Sequence, residues 1–219
     1  LGRFKSYFSQ SVAELIVSDD FESRLNPHRR EITSLFIDLR GFTAFAETVA
    51  PESVSLVLNE FYEAVGKVAS RFEATIGNIA GDGMLFFFND PMEIPNHRQV
   101  AVSMALELRH AVGELTELWK SRGYQLGFGI GLAEGVATIG GVGYNQYWTY
   151  TVVGSTVNLA ARLCAEARNG EILVSDRFRS RIEGRVTVEP RGLKRFKGFS
   201  DGVVVFNICS MPQNLRLSA

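Results

Sequence analysis

Along the chain, apolar positions recur with a period that switches between two and three-to-four, and the switches outline the elements. Ile32, Leu35, Phe36 and Ile37 form a short run with β-branched and aromatic members, which predicts a buried strand ending at Asp38. Pro51 and Glu52 open a long helix with Val54, Val57, Leu58, Phe61, Val65, Val68 and Phe72 on one face. Residues 76–80 and 84–88 then flank Gly81, Asp82 and Gly83, predicting two strands joined by a tight turn with Asp82 at its tip. A second helix is expected over about residues 98–122, with Val102, Ala105, Leu106, Leu108, Val112, Leu115 and Leu118 in its buried stripe and Gly123 ending it.

Residues 126–136 alternate apolar side chains with Gly127, Gly129, Gly131 and Gly135, the signature of a strand against which something packs closely. Gly140, Gly141 and Gly143 read as opening a loop rich in Tyr144, Tyr147, Trp148 and Tyr150. No strand-turn-helix context surrounds these glycines, so a dinucleotide fingerprint is rejected. A helix capped by Ser155 or Thr156 runs to about Ala167, followed by a strand at 172–174, a helix at 176–182 and strands at 186–189 and 203–208. The order βαββαβ with extra C-terminal strands and helices predicts an α+β, ferredoxin-like fold, with two long helices on one face of a mostly antiparallel sheet.

Two segments fall outside that pattern. Residues 1–18 carry Phe4, Phe8, Val12, Leu15 and Ile16 at three- and four-residue spacings, an amphipathic helix with no domain before it to lean on. Together with a polar linker over 19–30, it reads as a signalling or dimerisation segment. Leu1 is not an initiator methionine, so a longer polypeptide with something upstream of this segment is expected. Residues 31–210 form the expected domain, and 211–219 a tail.

Composition narrows the class. With 219 residues, 46% of them apolar and 16 of them Phe, the chain can bury one sizeable core. A net charge of −1 with scattered Lys and Arg gives no basic stripe for nucleic acid. Cys164 and Cys209 sit in apolar neighbourhoods and read as buried thiols in a reducing, cytoplasmic setting. His28, His97 and His110 read as solvent-facing.

Asp38 and Asp82, 44 positions apart, end in matching settings beside glycines. Two hard carboxylates with no His or Cys nearby suit Mg²⁺ or Mn²⁺. Taken singly, Asp38 equally suits a strand-end cap and Asp82 an ordinary turn residue. Asn158 and Arg162, four apart on one helix face, make an anion-facing pair or else a surface hydrogen bond. Arg191, Lys194, Arg195 and Lys197 form a basic loop facing water or a phosphate chain.

Four blocks now occur in order: FIDLRGFTAFAE from Phe36, AGDGMLFFF from Ala80, TVVGSTVNLAARLCAEA from Thr151 and FKGFSDGVVVF from Phe196. Through them the chain from about Arg30 to Ile208 resembles the catalytic domain of class III nucleotide cyclases, the adenylate and guanylate cyclases. The resemblance implies that Asp38, Asp82 and the Leu39 carbonyl hold two divalent cations, that amides around Phe42 and Thr43 cradle phosphates, and that Asn158 orients the ribose. It further implies that Arg162 stabilises the transition state, that Lys197 binds the phosphate chain while Lys194 and Arg195 are solvated, and that the site forms at a homodimer interface. The implied reaction converts ATP to 3′,5′-cyclic AMP and pyrophosphate.

Departures from the pattern leave the substrate open. The adenine-selecting Lys falls at Asn78 and its partner Asp at Thr151, while Tyr147 and Thr149 stand where Arg and Asp are usual. An Asn amide can donate to adenine N1 or, turned over, face a guanine edge. GTP or a pyrimidine triphosphate is the alternative substrate, and a catalytically degenerate nucleotide-binding or dimerising domain the alternative class.

Overall fold

A computed structural model describes residues 26–144 and 147–215; the expected helix over residues 1–18 lies outside the described residues. In chain order the elements are β1 (His28–Arg40), α1 (Phe42–Thr48), α2 (Pro51–Ala69), β2 (Thr75–Ala80), β3 (Gly83–Phe88), α3 (His97–Ser121), β4 (Gly127–Tyr144), β5 (Tyr147–Val153), α4 (Ser155–Glu166), β6 (Ile172–Ser175), α5 (Asp176–Arg181), β7 (Thr187–Lys194) and β8 (Val203–Ser210). The sheet runs β2-β3-β1-β4-β6-β8-β7, with β5 paired to β4. Among the described residues, only β4 and β6 pair in parallel. The β2-β3-β1-β4 part is the expected α+β, ferredoxin-like βαββαβ core, and the C-terminal strands extend it.

Alternation along β1 sorts side chains between the two faces. Leu35, Ile37 and Leu39 enter the main core with Phe61 and Val65 of α2 and Met104 and Leu108 of α3, all at most 3% exposed. Phe36 points to the other face, where Ala160 and Leu163 of α4, and Ala167 just after it, pack on Ala133 and Leu173. Asp38, two residues on, shares that face. The two long helices thus cover one side, and α4 covers only part of the other.

The close approach expected along β4 is made by α4. A methyl at Gly131 would collide with the Ala160 carbonyl and the Cys164 amide, so only glycine lets the helix lie on the strand backbone.

Several sequence expectations change. β4 continues through Gly140, Gly141 and Gly143 and pairs with β5, so the expected glycine-rich loop is a hairpin; open glycine backbone still ladders when a partner strand is present. The linker ends earlier than residue 30, because β1 begins at His28. His28 is not a solvated linker residue: its Nε2 lies 2.9 Å from Oδ2 of Asp90, whose side chain is 1% exposed. His97 is buried too, with Nδ1 2.8 Å from the Thr33 hydroxyl, whereas His110 is exposed as expected. Leu118, expected in the buried stripe of α3, is 42% exposed. α4 is preceded by Gly154, without a side-chain cap from Ser155 or Thr156. Cys164 is buried and Cys209 partly so; both are free thiols. Among the described residues, no helix is long and apolar enough to cross a membrane.

Candidate functional site

At the C-terminal end of β1 the chain must leave the sheet beside the β2–β3 turn. Gly41 makes that exit with φ 77°, a left-handed value that costs glycine nothing, and α1 starts at Phe42. The sequence shows no apolar period for this short helix. Its first-turn amides, including those of Phe42 and Thr43, have no acceptor within the helix.

The two acids meet across the β1–β3 ladder. Asp38 is the cross-strand partner of Gly83, and the Leu39 N–H donates to the Asp82 carbonyl at 3.1 Å. In an extended strand a residue's N–H and C=O project to the same edge, so the Leu39 carbonyl is also directed toward the 81–83 turn. A Cβ on Gly83 would stand 2.9 Å from Asp38 Oδ1, so that oxygen lies against the turn. Burial pushes the Asp38 carboxyl above its ordinary value, and the charge of Asp82 pushes it further; Arg40 offsets part of this. Two carboxylates that repel one another at the lip of a cleft are a site whose charge is under-compensated.

A cleft of about 230 Å³ opens from this lip, lined by Phe36, Asp38, Asn78, Leu85, Ala161 and Cys164 among others. Its floor is apolar, with Asp38 at one side and the Asn78 side chain at another. Thr151 Oγ1 donates to the Gly77 carbonyl at 2.9 Å, which ties β5 to the strand position next to Asn78. Burial holds the Cys164 thiol up to about 12, so no thiolate forms in the cleft near neutral pH.

Hard divalent cations fit this donor set. Two carboxylates and the Leu39 carbonyl would leave coordination positions for water and substrate oxygens; among the described residues there is no cluster of three or more His, Cys, Asp or Glu.

Asn158, Arg162 and Lys197 are not brought to this lip. All three are exposed, and among the described residues their side chains make no hydrogen bond or ion pair. α4 instead turns Ala161, Cys164 and Ala165 into its own chain's cleft. Asn158 and Arg162 do share one face of α4, as their spacing requires. The basic segment is partly strand: Arg191 pairs with Glu171 and Glu189, and Lys194 bonds Glu166 at 2.5 Å rather than being solvated. Thr149 is exposed on β5.

Two residues escaped sequence reasoning. Tyr62 of α2 donates its hydroxyl to the Gly81 carbonyl and so buttresses the Asp82 turn; nothing in the sequence marks it apart from neighbouring core positions. Arg40 Nη1 donates to Asp38 Oδ2 at 3.0 Å. Its signal was present, since residues two apart on a strand share a face.

Comparisons with known proteins follow this geometry. Residues 26–209 match the family described as "Adenylate and Guanylate cyclase catalytic domain". Among solved structures, the adenylyl cyclase CyaB from P. aeruginosa superposes with TM-score 0.82 at 30% identity, covering 89% of this chain and 100% of that one. The guanylyl cyclase Cya2 superposes with TM-score 0.81 at 32% identity, covering 87% of this chain and 98% of that one. Adenylate cyclase 1 of Rhizobium meliloti is 28% identical over 187 residues, and an adenylate cyclase of Mycobacterium bovis 28% identical over 168. The alignments cover 82% and 77% of this chain but only 28% and 37% of those two relatives.

Proposed function

The chain belongs to the adenylate and guanylate cyclase catalytic-domain family, and on that premise we propose that it converts ATP to 3′,5′-cyclic AMP and pyrophosphate as a homodimer. One observation carries the proposal. Asp38 lines a cleft with Asn78 and lies within reach of the Asp82 charge, while Asn158 and Arg162 stand exposed on α4 with no partner among the described residues.

In this reading Asp38, Asp82 and the Leu39 carbonyl hold two divalent cations, Mg²⁺ or Mn²⁺. When bound, these supply charge neutralisation and Lewis acidity at the α-phosphate. The amides of Phe42 and Thr43 receive phosphate oxygens at the first turn of α1. Lys197 of a second copy binds the outer phosphates. Asn158 of that copy orients the ribose so that its 3′-hydroxyl attacks the α-phosphorus in line, the cyclic ester closes and pyrophosphate departs. Arg162 presents a planar fork of donors to the α-phosphoryl oxygens as charge builds there, worth roughly 3 to 4 kcal/mol of barrier in comparable sites.

A second copy is the natural cover for the apolar side chains that the β4–β5 hairpin and β2 leave outside. Val136, Val142, Tyr144, Val153 and Ile79 are each 49% exposed or more. An upstream sensor acting through residues 1–30, and work in the cytoplasm where nucleoside triphosphates are at hand, complete the proposal.

GTP is the second reading. Thr151 donates its hydroxyl proton to Gly77, which leaves its oxygen as an acceptor only, whereas the Asn78 amide offers both a donor and an acceptor and so admits either purine. The test is incubation with each of the four nucleoside triphosphates and Mn²⁺, with mass-spectrometric identification of product and Asp38→Ala as control. Cyclic AMP as the main product, absent from the control, is expected. Cyclic GMP as the main product would move the assignment to GTP, and no cyclic product from any nucleotide would leave only a dimerising domain.

A further inference from the structure

Arg40 lies where strand β1, strand β4 and helix α4 meet, and its guanidinium is held on three sides. Nη1 donates to Asp38 Oδ2 at 3.0 Å, Nε to the Ala167 carbonyl at 3.0 Å, and Nη2 to the Cys164 carbonyl. The last two acceptors are the carbonyls of Cys164, in the last turn of α4, and of Ala167, the residue that caps it; the Cys164 carbonyl also accepts from the Ala167 N–H, and both lie at the negative pole of the helix. A cation there is favoured whether or not Asp38 is present. The guanidinium is therefore moored to the helix and is not a counter-ion free to swing away. Room for it is provided by Gly129 of β4, where a methyl would collide with Nη2.

The two oxygens of Asp38 consequently have different surroundings. Oδ2 is taken by Arg40, and Oδ1 faces the Gly83 turn on the Asp82 side. A flip would only exchange two equivalent oxygens; what the bond from the moored guanidinium fixes is the plane of the carboxylate.

We propose that Arg40 is a positioning residue that fixes Asp38 with one oxygen turned toward Asp82, preforming the cation site and making the end of α4 part of its frame. This rests on the assignment of Asp38 as a metal carboxylate. Partners that orient a ligating carboxylate typically contribute about 10- to 100-fold in metal affinity. Because α4 also carries Asn158 and Arg162, any shift of that helix would re-aim Asp38.

The experiment measures Mn²⁺ binding to the protein alone, without nucleotide, by electron paramagnetic resonance of free Mn²⁺. Wild type, Arg40→Gln, Arg40→Lys and Asp38→Asn are compared, each confirmed folded by circular dichroism. Arg40→Gln is expected to weaken Mn²⁺ binding at least about tenfold. Arg40→Lys keeps a cation for the α4 carbonyls, so it guards against loss of fold; it cannot span both helix and carboxylate, and is expected to weaken binding several-fold. Unchanged or tighter binding in folded Arg40→Gln or Arg40→Lys, while Asp38→Asn binds poorly, would overturn the positioning role. Unchanged binding in Asp38→Asn would instead overturn the metal assignment itself.

Discussion

The two halves of the proposed catalytic machinery are built in opposite ways. Around Asp38 and Asp82 the chain is wired to itself: Leu39 bonds the Asp82 carbonyl, Tyr62 bonds Gly81, and Arg40 joins Asp38 to α4. Around Asn158, Arg162 and Lys197, side chains stand exposed and make no hydrogen bond or ion pair among the described residues. A site that must grip cations needs carboxylates held in place against their own repulsion, which only local wiring supplies. Groups that serve a neighbouring copy have no use for partners at home. On the proposed reading, the contrast is that of two complementary halves of a site carried on one chain, the arrangement a twofold dimer uses.

The contrast breaks most decisively at Arg162. Arg162→Ala is expected to reduce kcat about 10²- to 10³-fold with KM within a few-fold, because the charge it meets develops in the transition state. Steady-state kinetics with Mn²⁺-ATP checks this, and a fall confined to affinity would make it a ground-state binding residue. Next in size is Asn78→Lys, which places a donor where the cleft now offers an ambivalent amide. The ATP-to-GTP ratio of kcat/KM is expected to rise by about tenfold; an unchanged ratio would remove Asn78 from base reading.

The last effect leaves the proposed chemistry untouched, concerns stability alone and lies on the opposite, core side of the sheet. Burial, aided by the Arg98 charge, lowers His97 from 6.5 to about 4. The unfolded chain binds a proton to this residue between those values and the folded chain does not. Stability is therefore complete above pH 6.5 and falls as pH drops toward 4, by at most about 3 kcal/mol. Urea melts from pH 7 to 4 are expected to show a shallower acid decline for His97→Gln than for wild type.

Much of this was legible in the sequence because it was local. Both acids follow from short apolar runs ending at glycine-flanked carboxylates, and the two long helices from their stripes. The length of β4 was hidden because glycines at 140, 141 and 143 give no alternation to read. His97 was misjudged because a polar residue near a helix start defaults to solvent, and only tertiary packing puts Thr33 beside it. Arg40 reaches 127 residues along the chain to Ala167, a contact no local pattern encodes. The division of the site into a wired half and an open half is a property of exposure, which spacing does not report.

The most direct measurement mixes two inactive proteins. Asp38→Ala keeps Asn158, Arg162 and Lys197, and Arg162→Ala keeps both carboxylates. If each site draws one half from each chain, random exchange makes half of the dimers mixed, each with one intact site of two. The equimolar mixture is then expected to regain about a quarter of wild-type cyclic-nucleotide formation. A mixture as inactive as its components would contradict the account, because it would place both halves of the site in the same chain.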